Sequence, residues 1–315
     1  MGRPYITKVL PMNLLYLLKH SDLFPAVVGM SLENFNKLLP LFDQRYRQCM
    51  YHRLWRRDRQ RALGAGRRSV LQTSSERLLF ILFFYKTYPT FRLAQVIFGV
   101  DKETIHRWKI FFEEVLWLTL GHELTLPKKK IRTMAGMLEI YPDLSEFILD
   151  ATERTIQRPK KNQEFYYSGK KKKHTIKNQV IIHPHTRRIL SVSKTVEGKR
   201  HDKQLCKDDG MVLRAPPGAT CLTDLGYQGL KEDTPHLRVI LPIKKQCKKE
   251  LSEMDKLTNR TISSVRVRVE HAIGALKYFQ ILTNRYRGRL SSADLPFRNI
   301  AALYNFTRPI TKDTC

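Results

Sequence analysis

The hydrophobic pattern of this chain changes period once, near residue 145, and that change limits the folds open to it. Before it, apolar residues recur at helical spacing, as in "SLENFNKLLPLF" at 31 to 42, and segments of period two are few. After it, "EFILDATERTI" at about 146 to 156 reads as a strand, and "HTIKNQVII" and "RILSVSKTV" alternate on either side of the turn "HPHT" at 183 to 186. These three segments predict an antiparallel meander. A short helical stretch follows "GKRHDKQL", then the strand "ATCLTD", a loop or helix, the strand "RVILPIK" and a long final helix. The expected fold class is α/β, a mixed sheet with flanking helices, preceded by an all-α region.

A chain of 315 residues with 42% hydrophobic residues can bury the cores of two domains. Its charge is the outlier: 57 Lys and Arg against 29 Asp and Glu leave +28, an excess that repels itself unless a polyanion shares the field. DNA or RNA is the expected partner. A membrane is not, because the longest apolar run, "LLFILFFY" at 78 to 85, is too short to span a bilayer. No secretory signal is expected at the N-terminus. The five cysteines are odd in number and form no C-x-x-C pair, which fits a reducing interior without a zinc finger.

The expected organisation is a helical DNA-binding region at 1–125, a basic linker at 126–144 and a second domain at 145–315. Within the first region, 45 to 69 is dense in Arg with aromatics among the bases, a pattern suited to phosphate contact or to a solvated linker. From about 76 to 118 the pattern is that of a helix-turn-helix. Gly99 sits at the turn, Asp101 caps the third helix, and Ile105, Trp108, Phe112 and Val115 make its buried stripe. Lys102, His106, Arg107 and Lys109 are expected on the open side, toward a major groove. An ordinary three-helix packing unit is the alternative.

Three acids stand where acids are disfavoured or isolated. Asp150 ends the apolar run "FIL", Asp224 ends "ATCLTD", and Glu270 lies in the basic helix "SSVRVRVEHAIGALKYF" at 263 to 279. If the two strands are neighbours, Asp150 and Asp224 project together at strand ends and repel unless a hard cation such as Mg²⁺ or Mn²⁺ neutralises them. A helix across the sheet would add Glu270, with Gly274 one turn on permitting close approach by helix or DNA. Three such carboxylates can bind two Mg²⁺ ions about 4 Å apart for phosphodiester chemistry. The competing account of Glu270 is an i to i+4 ion pair with Arg266.

"LDATERTI", "YYSGKKKKHTIKNQV", "LTDLGYQG" and "RVRVEHAIGALK" together resemble the core motifs of DDE superfamily transposases, of the insertion-sequence branch related to Harbinger transposases. The resemblance covers about residues 145 to 307. It implies a ribonuclease H-like catalytic domain, with Asp150, Asp224 and Glu270 as catalytic metal ligands for two Mg²⁺ ions, Mn²⁺ substituting. Arg266 and Lys277 match the basic positions around the third acid, whereas Ser263 stands where many relatives have Tyr. Gly226 and Tyr227 match the turn after the second acid, and His201 with Asp202 resembles a family pair, although Asp202 could simply cap the next helix. DNA contacts are expected from Arg266, which could instead orient Glu270, from Lys277, and from the run Lys170, Lys171, Lys172 and Lys173 near Tyr166, Tyr167 and Ser168, for which a solvated turn is the alternative. The implied partners are double-stranded DNA, both element ends and target, and further copies of the chain as a homodimer or larger assembly; no small-molecule substrate is implied. The implied location is the cytoplasm at the nucleoid in a bacterium, or the nucleus in a eukaryote.

Overall fold

The structure, a computed structural model, describes residues 14–55, 69–121, 124, 145–245 and 250–308. The basic stretch at 126–144 therefore lies outside the described residues, as does most of the Arg-rich segment beyond Trp55. The chain divides into two compact units, one of residues 1–120 with 278–281 and one of 121–277 with 282–315.

The first unit is helical: α1 (Leu14–Lys19), α2 (Phe24–Val28), α3 (Leu32–Leu54), α4 (Ser74–Thr87), α5 (Phe91–Phe98) and α6 (Lys102–Leu120). Local chemistry sets the boundaries. Thr73 and Glu76 form a reciprocal capping box at the start of α4, with Glu76 N–H donating to Thr73 Oγ1 and Glu76 Oε2 accepting from Thr73 N–H. Thr90 caps α5, and Gly99 ends it at φ 64°, a left-handed position that suits glycine. Asp101 accepts from the Thr104 amide at 2.8 Å and so starts α6. Buried on nearly every side from Leu78 to Lys86, α4 is the centre of the unit. Two Arg side chains rest on aromatics: Arg53 at the end of α3 lies 4.9 Å from the Phe111 ring, and Arg77 of α4 lies 4.4 Å from that of Tyr46.

One expected surface residue is inside. Lys109 is buried, and its ammonium donates to Glu113 Oε2 at 2.6 Å while the Tyr85 hydroxyl donates to the other oxygen at 2.9 Å. The helix period explains the correction. Lys109 is four residues after Ile105 and three before Phe112, so it falls within the apolar stripe and needs Glu113 to neutralise it. Trp108, by contrast, is only partly buried.

The second unit contains β1 (Glu146–Thr155), α7 (Gln163–Tyr166), β2 (Tyr167–Ser168), β3 (Lys173–Ile182), β4 (Ile189–Val192), β5 (Val196–Glu197), α8 (Asp202–Asp209), β6 (Thr220–Leu222), α9 (Leu230–Asp233), β7 (Arg238–Ile240), α10 (Glu253–Lys277), α11 (Gln280–Thr283, which begins in the first unit) and α12 (Asp294–Phe306). The sheet order is β2-β3-β1-β6-β7, and β4 and β5 also pair with β3. β1 and β3 are antiparallel from Ile148↔Ile182 to Thr155↔Thr175, while β1, β6 and β7 run parallel. Thus an antiparallel meander passes into a parallel edge. Leu149 and Phe147 join Ile181, Cys206, Cys221 and Tyr227 in a core on one side of the sheet. Buried Val269, Ile273 and Leu276 form the inner stripe of α10, which packs on β1.

The last helix is fastened by side chains that imitate backbone. Asn305 of α12 accepts from the Ile189 amide at 2.9 Å and donates to the Ile189 carbonyl at 2.8 Å, satisfying an edge position of β4. Among the described residues, no helix is long and apolar enough to cross a membrane.

Candidate active site

β6 makes its last pair with β1 at Ile148↔Leu222, two residues before Asp150. The Thr223 hydroxyl then donates to the Leu149 carbonyl at 3.0 Å, which keeps the departing chain against β1 and leaves Asp224 alongside Asp150. Asp150 is not at the end of its strand, as its apolar run suggested. β1 continues to Thr155, held there by β3, with Asp150 opposite Val180. The crevice arises because the parallel neighbour stops, not because β1 does.

Both carboxylates line a cavity of about 310 Å³, together with Thr152, Glu153, Tyr167, Ser168, Lys170, Lys171, Lys177, Lys199, Arg200, His201, Asp202 and Lys277. Asp224 begins a single 3₁₀ turn, and its Oδ1 accepts from the Gly226 amide at 2.9 Å. Asp150 Oδ1 accepts from the Ala151 amide at 2.7 Å. Burial pushes the Asp150 carboxyl up to about 6; the Ala151 amide opposes this, the Asp224 charge adds to it, Arg266 opposes it and Asp202 adds to it. Partial burial lowers Lys277, and the Lys171 charge lowers it further, while Asp150 and Glu153 hold it up.

The donor set is one of carboxylate oxygens in a basic surround. That chemistry suits a hard divalent cation, which would relieve the repulsion felt at Asp150. Among the described residues, no three His, Cys, Asp or Glu side chains are arranged to hold a metal ion as they stand.

The structure brings Asp150 and Asp224 together and leaves Glu270 outside the cavity lining. Glu270 is exposed on α10 and, among the described residues, forms no ion pair with Arg266. Its neighbours on the helix face are nevertheless at the site: Arg266, one turn before, is felt by Asp150, and Lys277, nearly two turns after, lines the cavity. Gly274 on the same face has nothing within 4 Å of where a side chain would start, so among the described residues nothing makes the close approach expected there.

The basic residues divide likewise. Lys170 and Lys171 line the cavity; Lys172, at φ 51°, and Lys173 are exposed beside it. In the first unit Lys102 pairs with Glu103 at 3.4 Å, Arg107 donates to Thr104 Oγ1 at 3.0 Å, and His106 meets the Phe91 ring edge-on at 5.4 Å, all three on the exposed side of α6. His183 braces the β3–β4 turn, its Nδ1 accepting from the His185 and Thr186 amides. Asp202 does not cap α8 with its side chain; it accepts from Lys177 at 2.7 Å instead. Glu153, Lys177, Lys199 and Arg200 were not legible as lining residues, since only the β1–β3 register and the β5–α8 connection bring them in.

The family model described as DDE superfamily endonuclease matches residues 149–305. A protein of Microchaete diplosiphon named "Probable transposase for insertion sequence element IS702" is 29% identical over 283 residues, 90% of this chain and 93% of that protein. A second, from Streptomyces albus G and named "Putative transposase for insertion sequence element IS112", is 25% identical over 209 residues, 66% of this chain and 70% of its own. No solved structure matches. Residues 149–305 form a mixed-sheet domain of the ribonuclease H-like class, and this domain belongs to the DDE superfamily.

Proposed function

We propose that the protein is a transposase that binds the terminal inverted repeats of a DNA element, cleaves phosphodiester bonds at the ends and joins the freed 3′-OH to target DNA. The observation that carries this is Asp150 beside Asp224 in a cavity rimmed by Lys170, Lys171, Lys199, Arg200 and Lys277. Lysine and arginine at that rim bind and orient phosphates; Asp150 and Asp224 face the scissile one. Glu270 is the third acid of the reading, supplied when α10 and bound DNA bring its side chain inward. Mg²⁺ or Mn²⁺, two ions at these carboxylates, would supply Lewis acidity at the transferring phosphoryl group. In the first unit α5 and α6 act as the helix-turn-helix, with Lys102, His106 and Arg107 toward DNA. Joining requires two ends held at once, so the working form is a homodimer or larger assembly.

The test is joining of a pre-cut, labelled element end to plasmid DNA with Mg²⁺, by wild type and Glu270→Gln. Joining by wild type and none by a folded, end-binding Glu270→Gln supports the transposase. Equal joining by both removes Glu270 from the site. End-specific nicking without joining makes the protein a metal-dependent nuclease, and end binding with neither reaction makes it a DNA-binding regulator.

A further inference from the structure

A second set of charges lines the cavity beside the Asp150 and Asp224 pair. Lys177 stands directly across from Glu153 in the β1–β3 register. Its ammonium donates to Asp202 Oδ1 at 2.7 Å and to the Arg200 carbonyl at 2.8 Å, with Glu153 Oε1 at 3.7 Å. The Lys177 side chain is 8% exposed, so the pair is largely withdrawn from water.

A pair that only fastened α8 to the sheet would need one oxygen of Asp202. The other oxygen also has a defined neighbour. Asp202 Oδ2 lies 2.6 Å from the point where a side chain on Gly226 would begin, and Asp224 Oδ1 lies 2.9 Å from that same point. The two carboxylates therefore crowd the same point beside Gly226, and Asp150 feels both charges. Three acids thus share one side of the cavity with Lys177, and as they stand they are not drawn together around a common point, a step that a bound cation would supply. Independently, the Thr152 hydroxyl, 7% exposed and lining the same cavity, is without a hydrogen-bond partner among the described residues. A buried hydroxyl without a partner points to an ordered water or ligand atom beside it.

We propose that Asp202 is a fourth acidic residue of this site, facing the divalent cation with Asp150 and Asp224, and that Lys177 is the positioning residue that holds it there. The inference rests on the reading of Asp150 and Asp224 as cation ligands. Holding Oδ1, the ammonium fixes the Asp202 side chain and leaves Oδ2 on the Gly226 side, where Asp224 Oδ1 also lies. It also offsets one negative charge of the cluster before any cation arrives.

The experiment is calorimetric titration of the full chain with Mn²⁺, without DNA, for wild type, Asp150→Asn and Asp202→Asn. An asparagine at 202 still accepts from Lys177, so the attachment of α8 is kept while the charge is lost. Asp202→Asn is expected to bind Mn²⁺ about 10- to 100-fold more weakly than wild type, with a melting temperature close to it. Should the single variant not fold, the neutral pair Lys177→Gln with Asp202→Asn gives the same reading, with the same loss expected. Unchanged Mn²⁺ affinity in the folded variant, alongside a loss in Asp150→Asn, overturns the Asp202 assignment alone. Equal binding by wild type and Asp150→Asn, or no binding by wild type, overturns the cation site itself and the proposal with it.

Discussion

The Thr223 hydroxyl reaches the Leu149 carbonyl across 74 residues of sequence, and this contact carries the chain past the end of β6 with Asp224 still beside Asp150. The two acids are thus juxtaposed by sheet topology, before any ligand is present. Proximity of this kind costs stability in the metal-free protein, and it can be measured.

Asp150→Asn should abolish cleavage while sparing end binding, and in EDTA it should raise the melting temperature at neutral pH. The sign follows from the carboxyl being raised from 3.8 to about 6. Its favourable contribution is complete below the unfolded value and is lost as pH rises through about 6, where the carboxylate ionises against burial and Asp224. Metal-free wild type should therefore lose stability across that window, and the variant should not. Mg²⁺ competes with the proton, so its stabilising shift in wild type should be small below that window and larger above it. Thermal melts at several pH values, with and without Mg²⁺, check both statements; a Mg²⁺ effect that ignores pH would remove Asp150 from the cation site.

The first unit offers a separation of stability from DNA binding. Lys109→Met strands the buried Glu113 carboxylate and should destabilise the chain by about 3–5 kcal/mol, with recovery when Glu113→Leu is added. Lys102→Ala and Arg107→Ala, both on the exposed side of α6, should leave the melting temperature nearly unchanged and weaken end binding, each lost phosphate contact lowering the log-log salt slope by roughly 0.9. Denaturant melts and binding at two salt concentrations distinguish the two classes.

Gly226 is required by crowding rather than by backbone angle. A methyl group there would begin 2.6 Å from Asp202 Oδ2 and 2.9 Å from Asp224 Oδ1, closer than such atoms pack. Gly226→Ala should force the carboxylates apart and reduce metal-dependent cutting, although every charged group is retained. A cutting assay over a range of Mg²⁺ concentrations would show the loss; unchanged cutting at every concentration would mean the carboxylate spacing does not matter.

What could be read from the sequence follows the range of the forces involved. The longer strands, the helix start at Asp101 and the turn at Gly99 depend on neighbours a few residues away and were legible; the two-residue β2 and the break between β4 and β5 were not. The pairing of Asp150 with Asp224 was legible too, conditional on adjacent strands. Lys109 misled because a lysine in an apolar stripe is exposed by habit, and only the buried Glu113 and Tyr85 make it tolerable inside. Glu153 and Lys177 face each other because of a register that the long connection between β1 and β3 does not encode. The position of Glu270 is a third kind of case: its helix and face are legible, but in the free chain its side chain is exposed rather than in the cavity lining.

Gly274 decides what comes to that face. It lies inside α10 with nothing among the described residues within 4 Å of a would-be side chain, so they give no reason to keep glycine there. Gly274→Ala should stabilise the free protein by about 0.5–1 kcal/mol through helix propensity alone. If DNA closes over α10 to bring Glu270 inward, the added methyl group meets it, and the variant should join ends more slowly despite its higher melting temperature. Stability and joining would then move in opposite directions, which a merely solvated helix face does not produce. A variant that is both more stable and fully active in joining would mean that DNA stays clear of Gly274, and Glu270 would need another route to the scissile phosphate.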